Sequence, residues 1–253
     1  NECLEFLSPV GESFEKDALM IDSTLGEGGH SFNFLSKYKN LKIIGLDADS
    51  NIQAKAKVRL AEFGERMNFY NGWFNDFYKN YPEDSRKPNL ILFDLGISVF
   101  HYEESNRGFS FRYDEKLDMR LNQNEGESAA DLVNNLAEEN LANLIYLYGE
   151  EKLSRKIASS IVNARNGSKI ESSKELAEII WNAVPSSYRY GPIHPATARF
   201  RPEYCHGRCR FRCRWQPVQP ADAFSVKCCG IRLMRPQRSE SWKYRLPHWW
   251  KPV

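Results

Sequence analysis

Short apolar runs alternate with amphipathic stretches over residues 17–98. Ala18-Leu-Met-Ile-Asp22 is an apolar run ending in an acid, followed by a glycine-rich turn and a helical pattern from about His30 to Tyr38. Leu41-Lys-Ile-Ile-Gly-Leu-Asp47 predicts a second strand. Ser50 is placed to cap the next helix, which carries Ile52, Ala56, Leu60 and Phe63 on one face and stops at Gly64. Met67 to Tyr70 predicts a third strand, and Leu90-Ile-Leu-Phe-Asp94, bounded by Pro88 and Gly96, a fourth. Strands alternating with helices imply an α/β fold of parallel βαβ units with buried strands.

The period then changes. Over residues 128–184 the pattern is helical only. Leu153, Ile157 and Ile161 repeat at every fourth position, with Ser154, Ala158 and Val162 on the adjacent stripe. Ser172 and Glu175 can form a capping box ahead of Leu176, Ile179, Ile180 and Ala183. The pattern predicts an all-helical insertion after the fourth strand.

Composition adds a boundary that periodicity alone does not show. The net charge of +2 hides twelve Lys and Arg against three Asp and Glu in residues 201–253, which leaves 23 against 30 before them. Five of the six cysteines and four of the six tryptophans also follow residue 200. No apolar run is long enough to span a membrane. Glu2, Glu5, Glu12 and Glu15 are the wrong chemistry for a signal or transit peptide, so a cytoplasmic protein is expected.

The first turn carries the first candidate chemistry. Asp22-Ser-Thr-Leu-Gly26-Glu-Gly28-Gly29-His30-Ser31 joins strand one to helix one. Glycines let a ligand approach the backbone, and the helix start offers free N–H groups. A dinucleotide fingerprint wants glycine or alanine where Ser31 stands, which disfavours a pyrophosphate cradle. Asp47 ends strand two, where an acid can accept from both ribose hydroxyls of an adenosine; the plain alternative is a solvated strand-end acid. On spacing alone a nicotinamide cofactor, and hence an oxidoreductase, stays open.

At Asp94-Leu-Gly-Ile-Ser98, Arg107-Gly-Phe-Ser-Phe-Arg112 and Leu117-Asp-Met-Arg120 the chain resembles the bacterial small-subunit ribosomal RNA cytosine-N4 methyltransferases, the RsmH family. Tyr148-Gly-Glu-Glu151, His194-Pro-Ala-Thr197 and Asp22-x-Thr-Leu-Gly26 extend the match, which runs unbroken from Asn1 to about Arg199. The resemblance implies a Rossmann-like core that uses S-adenosylmethionine, an all-helical insertion, and methylation of one cytosine of the small-subunit (16S) ribosomal RNA. It implies cofactor contacts at Gly28, Gly29, His30, Asp47, Phe74, Asp94 and His101. His101 stands where the family usually has glutamine, and its imidazole can still donate or accept. The alternative for Phe74 is a core aromatic, a commoner role than stacking on adenine. The expected domains are a cofactor core over 1–101, a loop and helical insertion for RNA recognition over 102–199, and a tail over 200–253.

The amine of cytosine is a weak nucleophile, so transfer needs it held in line with the methyl donor and an acceptor for the developing charge. Asp94 is the first candidate for that catalytic role and Asp118 the second; Asp118 can instead cap a neighbouring helix. Arg107, Arg112 and Arg120, with Phe109 and Phe111, are candidates for holding RNA phosphates and an unpaired base. The alternative is a folded Arg–Asp network with Asp114, Glu115 and Asp118. The expected partner is small-subunit ribosomal RNA or the assembled subunit. The negative balance of residues 1–200 favours shape-specific docking over indiscriminate RNA binding.

After His194-Pro-Ala-Thr197 the family continues with an Arg-Thr-Phe-Gln-Ala segment and its remaining strands, whereas this chain reads Phe200-Arg201-Pro202. The codons TTT CAG GCC read one base late give Phe-Arg-Pro. The tail is therefore expected to be out of frame, the start to be clipped, and the C-terminal strands to be missing. A chain of that kind is expected to bind cofactor weakly and to lack RNA methylation, or to be an inactive RNA-binding fragment. Cys205, Cys209 and Cys213 lack zinc-site spacing, so no metal is expected.

Overall fold

The computed structural model of the chain describes residues 3–4, 17–190 and 194–196. Most of residues 1–16 and the tail after residue 200 lie outside them. Four parallel strands form one sheet: β1 (Ala18–Asp22), β2 (Leu41–Asp47), β3 (Met67–Asn71) and β4 (Leu90–Leu92), in the order β3-β2-β1-β4. All five residues of β1 are buried, as a central strand covered on both faces requires. Helices α1 (Gly29–Lys37) and α2 (Ser50–Arg59) follow β1 and β2. The short α3 (Phe74–Lys79) follows β3, and α4 (Val99–Glu103) follows β4. Phe34, Leu35, Leu41, Ile43, Ala56 and Leu92 belong to the core of this layer.

Three local expectations shift. The α2 cap is Asp49, whose carboxylate accepts from Asn51 N–H at 2.9 Å, in place of Ser50. α2 ends at Arg59, and Leu60 and Phe63 are buried from a cap and a 3-10 turn (Ala61–Arg66) instead. β4 stops at Leu92 because the next residues leave the ladder: Asp94 N–H donates to the Thr24 hydroxyl at 2.7 Å.

The insertion holds α5 (Ala129–Asn135), α6 (Glu138–Gly149), α7 (Ser154–Arg165), α8 (Ser173–Ala183) and α9 (Ser186–Arg189). Ile157, Ala158 and Ile161 are fully buried in a second core with Leu141, Ile145, Leu176 and Ile180. Half of the expected capping box forms. Ser172 Oγ accepts from Glu175 N–H at 3.1 Å, while the Glu175 carboxylate turns to Glu171 N–H. Phe109, Leu117 and Met119 also enter this core, so the loop after α4 is packed structure.

Candidate cofactor and substrate site

Strand order reverses between β1 and β4: the chain first winds outward through β2 and β3, then returns to the other side of β1. Such a reversal leaves a crevice at the strands' carboxyl ends, where α/β sheets bind ligands. Asp22 and Ser23 stand at one lip and Phe93 and Asp94 at the other. Ser23 N–H donates to Leu92 O at 2.9 Å, joining them. Asp22 is buried and accepts from Ser31 Oγ at 2.7 Å; burial pushes its carboxyl up, against that hydroxyl. Gly28 has φ 78°, and a Cβ there would come within 2.7 Å of Leu60, so this turn admits no side chain. Gly28 also caps α1, and no side chain caps the helix start, which leaves its first-turn amides aimed out of the turn.

Asp47 lies one strand over. Its Oδ2 accepts from Gly26 N–H at 2.8 Å and its Oδ1 from Asp49 N–H at 2.9 Å. Burial pushes this carboxyl up to about 6, although both amides favour its charged form. A half-buried carboxylate oriented by two backbone donors, with lone pairs to spare, suits a ligand that brings hydroxyl donors. The residues therefore fit an adenosine ribose.

Asp94 follows β4 and faces α1. His30 Nε2 lies 3.3 Å from its Oδ2, and that hydrogen bond raises the pKa of His30. Phe74 opens α3 and meets Phe93 edge to face at 5.4 Å, forming an apolar wall beside Asp94. Phe74 is half-buried and serves that wall whether or not it also stacks on a base.

The other candidates are built differently. His101 is buried in α4, with Nε2 3.0 Å from Asp49 Oδ2. Arg107 is buried too. It pairs with the same Asp49 oxygen and donates to the carbonyls of Arg120 and Leu121 at 2.9 and 3.0 Å. Arg120 forms a two-pronged pair with Asp118, Nε to Oδ1 and Nη2 to Oδ2, both at 2.8 Å. Burial would raise the Asp118 carboxyl, yet the Arg120 pair holds it below the usual carboxylate range. The carbonyl of Asp118, not its carboxylate, accepts from Ala129 at the start of α5. Of the three arginines, Arg112 is the exposed one. Gly108, at φ 76°, is held by Glu115 Oε2 at 2.8 Å, and a Cβ would strike Lys116 O at 2.6 Å. His194 sits between Phe111 and Trp181, with ring centroids 4.5 and 4.9 Å away.

Gly28, Gly29, His30, Asp47 and Asp94 thus gather around the mouth of the β1–β4 crevice. His101 and Arg107 join beneath it at Asp49, and Asp118 pairs with Arg120 in the adjoining loop. Asp49 escaped sequence reasoning, although the Asp47-x-Asp49 spacing ahead of a helix start was a legible N-cap signal. Among the described residues no cluster of His, Cys, Asp and Glu could hold a metal ion, and no helix is long and apolar enough to cross a membrane.

The profile of the MraW methylase family matches residues 1–202. The chain is similar to a Treponema denticola protein named ribosomal RNA small subunit methyltransferase H, at 56% identity over 200 residues, covering 79% of this chain and 62% of that protein. A Borrelia hermsii protein of the same name is 48% identical over 184 residues, 72% of this chain and 61% of its own length. One from Sulfurihydrogenibium is 44% identical over 202 residues. The chain spans about three-fifths of the length of the first two, at 62% and 61%.

Proposed function

The chain belongs to the MraW methylase family, and from that premise we propose that it contributes to an S-adenosylmethionine-dependent enzyme that methylates the N4 amine of a cytosine in small-subunit ribosomal RNA. Its α/β sheet and helices are the Rossmann-like methyltransferase core of that family. The names of the relatives point to the ribosomal RNA of the small subunit.

The observation that carries the reading is Asp47, held at the end of β2 by Gly26 and Asp49 amides with Asp94 across the crevice. In this reading Asp47 binds the ribose hydroxyls, the uncapped start of α1 at Gly29 and His30 receives the cofactor's carboxylate, and Phe74 lines the adenine side. The cofactor supplies an electrophilic methyl group on a sulfonium. Asp94 orients the cytosine amine and accepts its proton as the new bond forms. His30, linked to Asp94, steadies that carboxylate. Asp118 acts through its Arg120 pair to shape the loop, and Arg112 is the arginine placed to meet an RNA phosphate. The division into a cofactor core and a loop-plus-helix RNA module follows the two apolar cores.

The test is methyl transfer to purified small subunits, followed by digestion of the RNA to nucleosides. Labelled N4-methylcytidine is the expected product when the protein is supplied at its relatives' full length. Label in another nucleoside would refute the N4 assignment. Reduction or oxidation of a nicotinamide with no methyl transfer would favour the oxidoreductase.

A further inference from the structure

We propose that Asp49 is a positioning residue that clamps the Arg107–Leu121 loop onto the turn carrying Asp47, so that filling the cofactor site and ordering that loop are coupled. The coupling rests on the cofactor reading; the clamp itself rests on the contacts of Asp49 alone.

Asp49 is 1% exposed and lies between β2 and α2. Four groups meet it, two from its own turn and two from residues more than 50 positions away. Its backbone N–H holds Asp47 Oδ1 at 2.9 Å, and its Oδ1 caps α2 through Asn51 N–H at 2.9 Å. Its Oδ2 receives His101 Nε2 at 3.0 Å and the guanidinium of Arg107. His101 and Arg107 are each 4% exposed. Ser98 N–H donates to His101 Nδ1 at 3.2 Å, so Nε2 is the nitrogen that carries the hydrogen and donates to Asp49.

Arg107 in turn holds the far end of the loop twice. Its side chain donates to the carbonyls of Arg120 and Leu121, and its own carbonyl accepts from Asp118 N–H and Met119 N–H at 3.2 and 2.8 Å. Asn106 and Met119 have φ of 53° and 59°, left-handed values that asparagine tolerates and methionine rarely adopts. A charge pair as buried as Asp49–Arg107 loses far more when one partner is removed than it gains by existing, so the loop is tied to one residue. Apolar packing could hold the loop as well, but it would not link it to the acid at the end of β2. Asp49 does both through one rigid turn.

Asp49→Asn separates these roles. Asparagine caps a helix well and keeps the backbone N–H on Asp47, while the charge that holds Arg107 is gone. Hydrogen exchange on the full chain, with and without S-adenosylhomocysteine at saturation, reads the result. In the wild type, ligand should slow exchange in peptides covering both residues 45–50 and residues 107–121. In Asp49→Asn, ligand should slow the first alone, with a Kd raised about tenfold, within the usual range of coupling between sites. Exchange in α7 should be the same in both proteins, which shows that the variant is folded. Equal ligand protection of residues 107–121 in both proteins, or none in the wild type that binds, would overturn the proposal. A wild type that binds no S-adenosylhomocysteine would sink the cofactor reading instead. The clamp would then be decided by ligand-free exchange: faster in both segments of Asp49→Asn supports it, unchanged exchange overturns it. Should Asp49→Asn fail to fold, Arg107→Lys, which keeps the charge and loses the fork across Arg120 and Leu121, carries the same measurements.

Discussion

Asp47 has two opposed consequences of pH at a single carboxylate. Burial pushes it up to about 6, so the folded chain takes up a proton more readily than the unfolded one. Stability from this group therefore rises as pH falls through about 6. His30 acts the same way, since its bond to Asp94 raises its pKa; its contribution is present below the ordinary 6.5 and is lost as pH rises through the raised value. Asp49 and Asp118 act oppositely. Burial would raise both, but Asp49's bonds to His101 and Arg107 and Asp118's to Arg120 hold them low, so their contributions fade as pH drops below the ordinary 3.8. The melting temperature should peak between pH 3.8 and about 6, as scanning calorimetry across pH would show. Cofactor affinity should run the other way and fall as pH drops through about 6, because ribose hydroxyls need the ionised acid. Asp94→Asn should leave RNA affinity in place and cut methyl transfer about 100-fold, as loss of a proton acceptor does, with single-turnover kinetics as the check. Asp47, Asp94 and the Gly28 turn were legible because each sits at a strand end or a tight turn, where the signal is local. The cap role of Asp49 was legible in the same way, but its pairing was not, because His101 and Arg107 lie 52 and 58 residues away and no periodicity reports such a pairing.

At the scale of elements, the strands and the longer helices could be read because burial repeats along them. β1 is apolar at four of its five positions and central, and α7 shows Ile157 and Ile161 one above the other, both at 0% exposure. Ile161→Ala should destabilise the helical core by about 2–5 kcal/mol through lost burial and a residual cavity, measurable as a lower midpoint in urea at unchanged slope. The short elements were missed for the opposite reason. α3 has no buried residue, and α4 has five residues in all, too few for a helical period to declare itself. β4 was expected to run to Asp94, but the Thr24 hydroxyl takes the Asp94 amide out of the ladder. A side chain 70 residues away set that boundary, which no local propensity encodes.

Across the whole molecule, two apolar cores meet through polar contacts around Asp49, Arg107 and Glu104, the last paired with Lys55. Among the described residues β4 pairs with β1 alone, so one edge of the sheet is open there. The family profile stops at residue 202, beside the abrupt change to a basic, cysteine-rich composition. We propose that the tail after Arg199 is read out of frame. Sequencing the DNA around codon 200 should show a single-base shift, and restoring the frame should raise solubility and bring methyl transfer to small subunits. An intact frame through that codon would overturn the proposal. Most residues proposed to hold the cofactor, Gly28 to Asp94, lie in the sheet and turns before the tail, so binding, though weak, is expected of the chain as given. Calorimetric titration of the chain and of Asp47→Ala with S-adenosylmethionine, with NAD as the control, therefore tests the central claim most directly. The wild type should bind S-adenosylmethionine and not NAD, and the variant should bind it about 1–3 kcal/mol more weakly, the worth of hydrogen bonds to a charged acceptor. Binding of NAD without S-adenosylmethionine, or equal affinity in the two proteins, would contradict it.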